Sequence, residues 1–191
     1  STPKASIAAV LSAYSLGPGD VIQVDVGLYN LSLDIALESD DSGVTIVGYT
    51  DPGDPSRIAV LDRGNQGSGS YVFKMAGADD VTLDSLVIRN AYSGVHAPSG
   101  VDSDGLVITA CVIYDHANAA IYLDNTNDDA VIASNEIYDS NHGAYIRSSH
   151  DTLIEGNTIR DNTTYGAYFI YDTDSIVRGN TSKQIVQMCR K

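Results

Sequence analysis

The 191-residue chain carries 25 acidic against 11 basic residues, a net charge of −14. That balance excludes a nucleic-acid partner, which needs basic patches for the phosphates, and it disfavours an anionic membrane surface. No apolar run reaches the roughly 18 residues of a membrane span, so no membrane insertion is expected, and a neutral polymer or a divalent cation fits the charge better.

The opening "STPKAS" has neither Met nor a signal-like run and is expected to be a processed start. Ile7, Val10, Leu11 and Tyr14 follow the spacing of one helix face, Thr2 suits the cap and Pro3 the first turn. A short helix over 3–14 is therefore predicted, stopped by "GPGD" at 17–20. "VIQVDVGLY", "GVTIVG", "IAVLD" and "YVFKMAG" then read as strands, interrupted by two loops, "YTDPGDPSR" (49–57) and "RGNQGSGS" (63–70). Such excursions wall a groove or merely tolerate insertion.

From residue 82 onward the chain repeats itself. "SNEIYDSNHGAYI" (134–146) returns as "GNTIRDNTTYGAYF" (156–169). Ile88, Ile113, Ile137 and Ile159 fall at spacings of 25, 24 and 22. Leu86, Cys111, Asn135, Asn157 and Asn180 form a second column, and Leu83, Ile108, Ile132, Ile154 and Val177 a third. A period of 22–25 residues built from short β-branched runs and Asn, Asp and Gly turns predicts an all-β solenoid of stacked coils about 4.8 Å apart. Stacking supplies the asparagines with partners, since an inward amide at a bend can bond an identical amide one coil away. Cys111, in the same column, reads as a small buried hydrophobe, and two cysteines make no disulfide framework. The amphipathic helix would cover the open end of the stack.

With these segments the chain resembles the right-handed parallel β-helix superfamily, the pectate-lyase-like fold. "ASIAAVLSAYSLGPGDVIQVDVGLYN" is similar to its capping helix and first turn, "SGVTIVG" and "VLDRGN" to its first coils, and "NEIYDSNHGAYI" to its generic repeat. The resemblance implies one domain over 1–191, with coils over 20–182 and an irregular tail at 183–191. The composition, rich in Asn, Asp, Gly, Ser and Thr, points to an exported protein, so a secreted or cell-surface setting is expected, with the periplasm as an alternative. The fold hosts polysaccharide lyases, hydrolases, epimerases, adhesins, tailspikes and metal-transport accessory proteins, so function has to come from a site.

Alternation within "GVHAP", "AIYLD", "GAYIR" and "GAYFI" turns His96, Tyr122, Tyr145 and Tyr168 outward in one line. Such a line is expected to form a flat ribbon that matches sugar faces, unless tyrosine serves only as a good outward strand residue. Asp124 and Arg147 follow the line; His116 and His142 sit in neighbouring turns after Asp115 and Asp139. The expected catalytic set is His142, Tyr145, Arg147 and Asp124, with His96, Tyr122, Tyr145, Tyr168, His116 and Asp139 binding substrate. A histidine beside Tyr, Asp and Arg suits general acid–base work on a uronic sugar, as lyases and epimerases of this fold use it. No motif specific to alginate epimerases, pectate lyases or polygalacturonases is present. The expected ligand is a polysaccharide or oligosaccharide, handled by a binding or modifying domain. The alternative is a structural or adhesive segment of a larger surface protein.

No cofactor is expected. Asp80, Asp129, Asp151 and Asp174, interrupted by Gly105, recur at coil spacing and could hold Ca²⁺ or serve as turn residues. Copper delivery, as in periplasmic relatives of the fold, would need clustered Met, His or Cys, and four His and two Met lie scattered. The tail "KQIVQMCRK" fits no coil, which leaves self-association through the C-terminal coil as a further expectation.

Overall fold

A computed structural model of the chain describes residues 4–50, 53–54, 56, 58–182 and 186–189, the last four by their backbone alone. One short helix, α1 (Ile7–Leu11), precedes seven coils. The first coil holds β1 (Val21–Val24), β2 (Gly27–Asn30) and β3 (Ile35–Glu38). The second holds β4 (Thr45–Gly48), β5 (Ala59–Asn65) and β6 (Tyr71–Ala76). The third holds β7 (Thr82–Asp84) and the long β8 (Val87–Ala97), and the fourth β9 (Val107–Thr109) and the long β10 (Val112–Asp124). The fifth holds β11 (Val131–Ala133), β12 (Glu136–Tyr138) and β13 (His142–Arg147), and the sixth β14 (Leu153–Glu155), β15 (Thr158–Arg160) and β16 (Tyr165–Ile170). The seventh holds β17 (Ile176–Arg178), β18 (Thr181–Ser182) and β19 (Val186–Cys189).

All the strand ladders are parallel. One face is a seven-stranded sheet in the order β1-β4-β7-β9-β11-β14-β17. The other two faces run β2-β5-β8-β10-β12-β15-β18 and β3-β6-β8-β10-β13-β16-β19, joined because β8 and β10 pass through both. This is the expected all-β parallel β-helix. Its core is stacked by column: Leu61, Ile88, Ile113, Ile137 and Ile159 pair in register on the second face, and Ile22, Ile46, Leu83, Ile108, Ile132, Ile154 and Val177 on the first. The predicted columns and the observed register coincide.

The asparagine column is hydrogen-bonded from coil to coil. The Cys111 N–H donates to Asn135 Oδ1 (2.9 Å), the Asn135 N–H to Asn157 Oδ1 (2.8 Å) and the Asn157 N–H to Asn180 Oδ1 (2.8 Å). Each side-chain amide also donates to a carbonyl of an earlier coil, Ile108, Ile132 or Ile154. Cys111 is buried, and burial pushes its thiol up to about 12, so it is inert packing.

The repeated acids have a conformational cause. Asn90, Asp115, Asp139 and Asp161 all turn the corner between the second and third faces at φ between +50° and +62°. Asp80, Asp129, Asp151 and Asp174 do the same at another corner, where Gly105 interrupts them at φ +68°. The left-handed region is open to Gly and, among other residues, mainly to Asn and Asp. The motif "GAY" is explained as well. A Cβ on Gly143 would lie 2.2 Å from the Gly166 carbonyl oxygen of the next coil, Ala144 fills the core, and Tyr145 points out.

Two predicted boundaries move. The helix spans only Ile7–Leu11, capped by Ser6, whose Oγ accepts the Ala9 N–H (3.2 Å). Thr2 and Pro3 lie outside the described residues. Ser12 already occupies the C-cap, and the Ala13 and Tyr14 amides fold back onto the Val10 carbonyl. The tail is not wholly irregular either, since Val186–Cys189 pairs with β16 as a further parallel strand. The apolar alternation of "VQMC" was hidden by the charged residues on either side of it.

Candidate functional site

The third face brings most of the predicted site together. His96 on β8, Tyr122 on β10, Tyr145 on β13 and Tyr168 on β16 are direct register partners. Ring centroids follow one another at 5.1, 4.8 and 5.3 Å. At its upper end Tyr71 stacks on His96 at 4.3 Å, and at its lower end His142 and Tyr165 lie beside Tyr145 and Tyr168. The expected flat ribbon is corrected here: successive rings from His96 to Tyr168 are tilted by 59°, 71° and 63°. Edge-to-face contact is favoured over a face-to-face sandwich by the ring quadrupole.

Asp124 and Arg147 are register partners beside this line, and an Arg147 guanidinium nitrogen lies 3.6 Å from Asp124 Oδ2. The Tyr122 hydroxyl donates to the same oxygen (3.4 Å). Arg147 is 46% exposed and Asp124 12%. Burial raises the Tyr122 phenol above its ordinary value, with Asp124 adding to the rise, and burial likewise raises Tyr145. Burial pushes His96 down to about 4, and Lys74 lowers it further against the pull of Asp124 and Asp34. Burial also lowers His142. Both imidazoles are thus neutral at pH 7, and the Nδ1 atom of each is buried without a hydrogen-bond partner among the described residues. The face therefore combines an aromatic line with two neutral bases and an acid–arginine pair, a set suited to gripping sugar rings and moving protons.

Two predicted residues do not belong to it. His116 is 3% exposed and points into the corner of the solenoid. Its Nδ1 accepts the Ala91 N–H (3.3 Å) and its Nε2 lies 3.3 Å from the Ile88 carbonyl. It shares its position with Ser140 and Asn162, which bond the amides one coil earlier, so its ring is part of the buried corner and not of the exposed line. Asp139 is the exposed left-handed corner residue between β12 and β13. Sequence reasoning missed Tyr71, Tyr165 and Lys74. Lys74 is the register partner of His96 one coil earlier, and carrying the line back 22 residues from His96 lands on it.

A second aromatic line on the neighbouring face has a different character. Tyr114 and Tyr138 stack in parallel at 4.9 Å and 2°, with Arg160 over Tyr138 at 4.0 Å. Arg89 and Arg160 are committed to Asp62, and to Glu136 and Asp161. Ring faces and guanidinium donors are used up internally, which makes it a brace.

A family model described as periplasmic copper-binding protein (NosD) matches residues 45–187. The chain belongs to the NosD family. No curated protein matches it at the sequence level. Among solved structures it is similar to ORF18 of Geobacillus virus E2 (18% identity, TM-score 0.65, 91% of this chain and 36% of that one). It is similar also to the lidless DFA-IIIase of Arthrobacter chlorophenolicus A6 (16%, 0.70, 88% and 51%). A third likeness is to the alginate lyase of Paenibacillus sp. str. FPU-7 (17%, 0.62, 91% and 72%). At such identities the likeness shows the fold. The chain spans about a third and a half of the first two.

The copper that the NosD description names does not fit the described residues. Met75 is fully buried, Cys111 is inert, and both ring nitrogens of His116 face backbone groups. His150 Nδ1 is engaged by Thr173. His96 and His142 belong to coils with the Tyr122 coil between them, too far apart to share one ion. Among the described residues no three His, Cys, Asp or Glu side chains converge on a metal-sized site, the aspartate columns included. No described helix is long and apolar enough to cross a membrane.

Proposed function

We propose that this NosD-family chain contacts a polysaccharide along its third face, in the periplasm or outside the cell. The observation that carries this is the unbroken line Tyr71–His96–Tyr122–Tyr145–Tyr168, five rings with centroids 4.3–5.3 Å apart, flanked by Asp124 and Arg147. Outward-facing tyrosines offer apolar ring area and phenolic hydroxyls, two features that sugar recognition uses. The family's periplasmic description supports the location, and the fold shared with an alginate lyase supports the ligand class. His142, Tyr145, Arg147 and Asp124 are the groups on which any chemistry at this face would fall, with neutral His142 as the base. Calorimetric titration of neutral and uronic oligosaccharides tests the proposal. Wild type binds at least one, and Tyr145→Ala and Arg147→Ala each weaken it about tenfold at unchanged melting temperature. Equal binding by both variants would refute it, and no binding at all would leave a structural or adhesive segment.

The family match favours copper handling as a second reading. Stoichiometric copper uptake in equilibrium dialysis, retained in His96→Ala and His142→Ala, would favour it over the carbohydrate reading.

A further inference from the structure

We infer that Lys74 reads an anionic group on the ligand of the third face, so that the ligand is an acidic glycan lying along the solenoid axis. This rests on the carbohydrate reading above and narrows its substrate class.

The five described arginines, Arg63, Arg89, Arg147, Arg160 and Arg178, each hold a carboxylate within 2.6–3.6 Å. Lys74, on the outward side of β6, has no ion-pair partner among the described residues. The acids that influence its neighbour His96 are Asp34 and Asp124. Asp34 is already bound by Arg63 (3.1 Å) and by the Tyr71 N–H (3.0 Å), and Asp124 is paired with Arg147. His96 itself is neutral at pH 7. The top of the aromatic line therefore carries one uncompensated, half-buried positive charge in a chain whose net charge is −14. An ammonium held in that setting lacks its counter-charge, and a carboxylate or sulfate on a ligand supplies it.

Geometry sets the direction. Lys74, His96, Tyr122 and Tyr145 are successive register partners, three coil steps or about 14 Å from end to end. A ligand that reaches Lys74 and also packs on Tyr122 and Tyr145 must follow that line. Arg147 lies beside the same line, but its charge is answered by Asp124. The free cation lies at the other end of the line.

Hexamers of galacturonate, mannuronate and guluronate, their methyl esters and a neutral glucan hexamer provide the test, titrated against wild type, Lys74→Gln and Lys74→Arg. The ester keeps the sugar backbone and removes the charge. Wild type is expected to bind at least one acid form tenfold or more tighter than its ester. Lys74→Gln removes that preference and leaves ester binding unchanged, and Lys74→Arg keeps it. If wild type binds acid and ester alike, binds only the glucan, or loses both forms equally in Lys74→Gln, the inference fails while carbohydrate contact stands. If wild type binds none of the hexamers, the carbohydrate reading fails and this inference with it.

Discussion

Replacing Asn157 with alanine tests how the coils are held together. Asn157 Oδ1 accepts from both the main-chain N–H (2.8 Å) and the side-chain amide (3.0 Å) of Asn135. Its Nδ2 donates to Asn180 Oδ1 (2.9 Å) and to the Ile132 carbonyl (2.8 Å). Asn157 is 1% exposed, so water cannot take over these bonds. Alanine orphans the Asn135 N–H, a buried donor costing about 1–3 kcal/mol, and removes the ties to two neighbouring coils. Asn135 keeps one side-chain bond to the Ile108 carbonyl, which limits the damage. The total comes to about 3 kcal/mol, or roughly 6–12 °C in melting temperature for a chain of this size. Thermal unfolding followed by far-UV circular dichroism reads it. Cys111→Ala is the control, because Cys111 occupies the same column but relies mainly on its main-chain N–H, which alanine retains. If Asn157→Ala melts within 2 °C of wild type, a loss of at most about 1 kcal/mol for a chain of this size, the inter-coil amide bonds are not what stabilises this corner.

Three further outcomes follow from the packing. His116 is depressed to about 4 in the folded chain by burial, whereas an unfolded histidine titrates near 6.5. Between those values the unfolded chain binds a proton that the folded chain refuses, so the stability from neutral His116 is complete above about pH 6.5 and is lost as pH falls toward 4. Denaturant midpoints across that window should drop with acid, and His116→Ser, the residue found one coil later, should flatten the slope in part, His96 contributing the rest with the same sign; an unchanged slope would contradict the burial. Gly143→Ala forces a methyl against the Gly166 carbonyl oxygen and should cost about 2–3 kcal/mol in a urea melt, and a wild-type midpoint would show that the coil spacing gives way freely. Arg160→Ala should lower the melting temperature slightly by uncapping Tyr138 and leave glycan affinity untouched in calorimetry; a weakened affinity would make the second face a ligand site.

The fold was readable because a solenoid converts sequence period into register. Once Ile88, Ile113, Ile137 and Ile159 align, the inward column of the second face follows. Tyr122, Tyr145 and Tyr168 were legible for the same reason, being spaced by 23 and 23. Lys74 and Tyr71 were not, because the step from His96 to Tyr122 is 26 residues and the step from Lys74 to His96 is 22. The irregularity reflects a register shift between His116 and Ala119. That same corner hid His116. Alternation fails where a strand bends, and only alignment with Ser140 and Asn162 reveals an inward polar position. The ring tilts and the Asp124–Arg147 pair depend on side-chain rotamers that no repeat encodes. The helix boundaries turned on which serine caps, a local choice between Thr2 and Ser6 that amphipathic spacing does not decide.

A crystal structure of the chain with a bound hexasaccharide tests carbohydrate contact on the third face most directly. The sugar chain should lie over His96, Tyr122 and Tyr145, parallel to the solenoid axis, with one end at Lys74 and a ring within hydrogen-bonding reach of Arg147. Sugar bound instead against the outer side of the seven-stranded sheet, or over Tyr114 and Tyr138, with the third face bare, would contradict it.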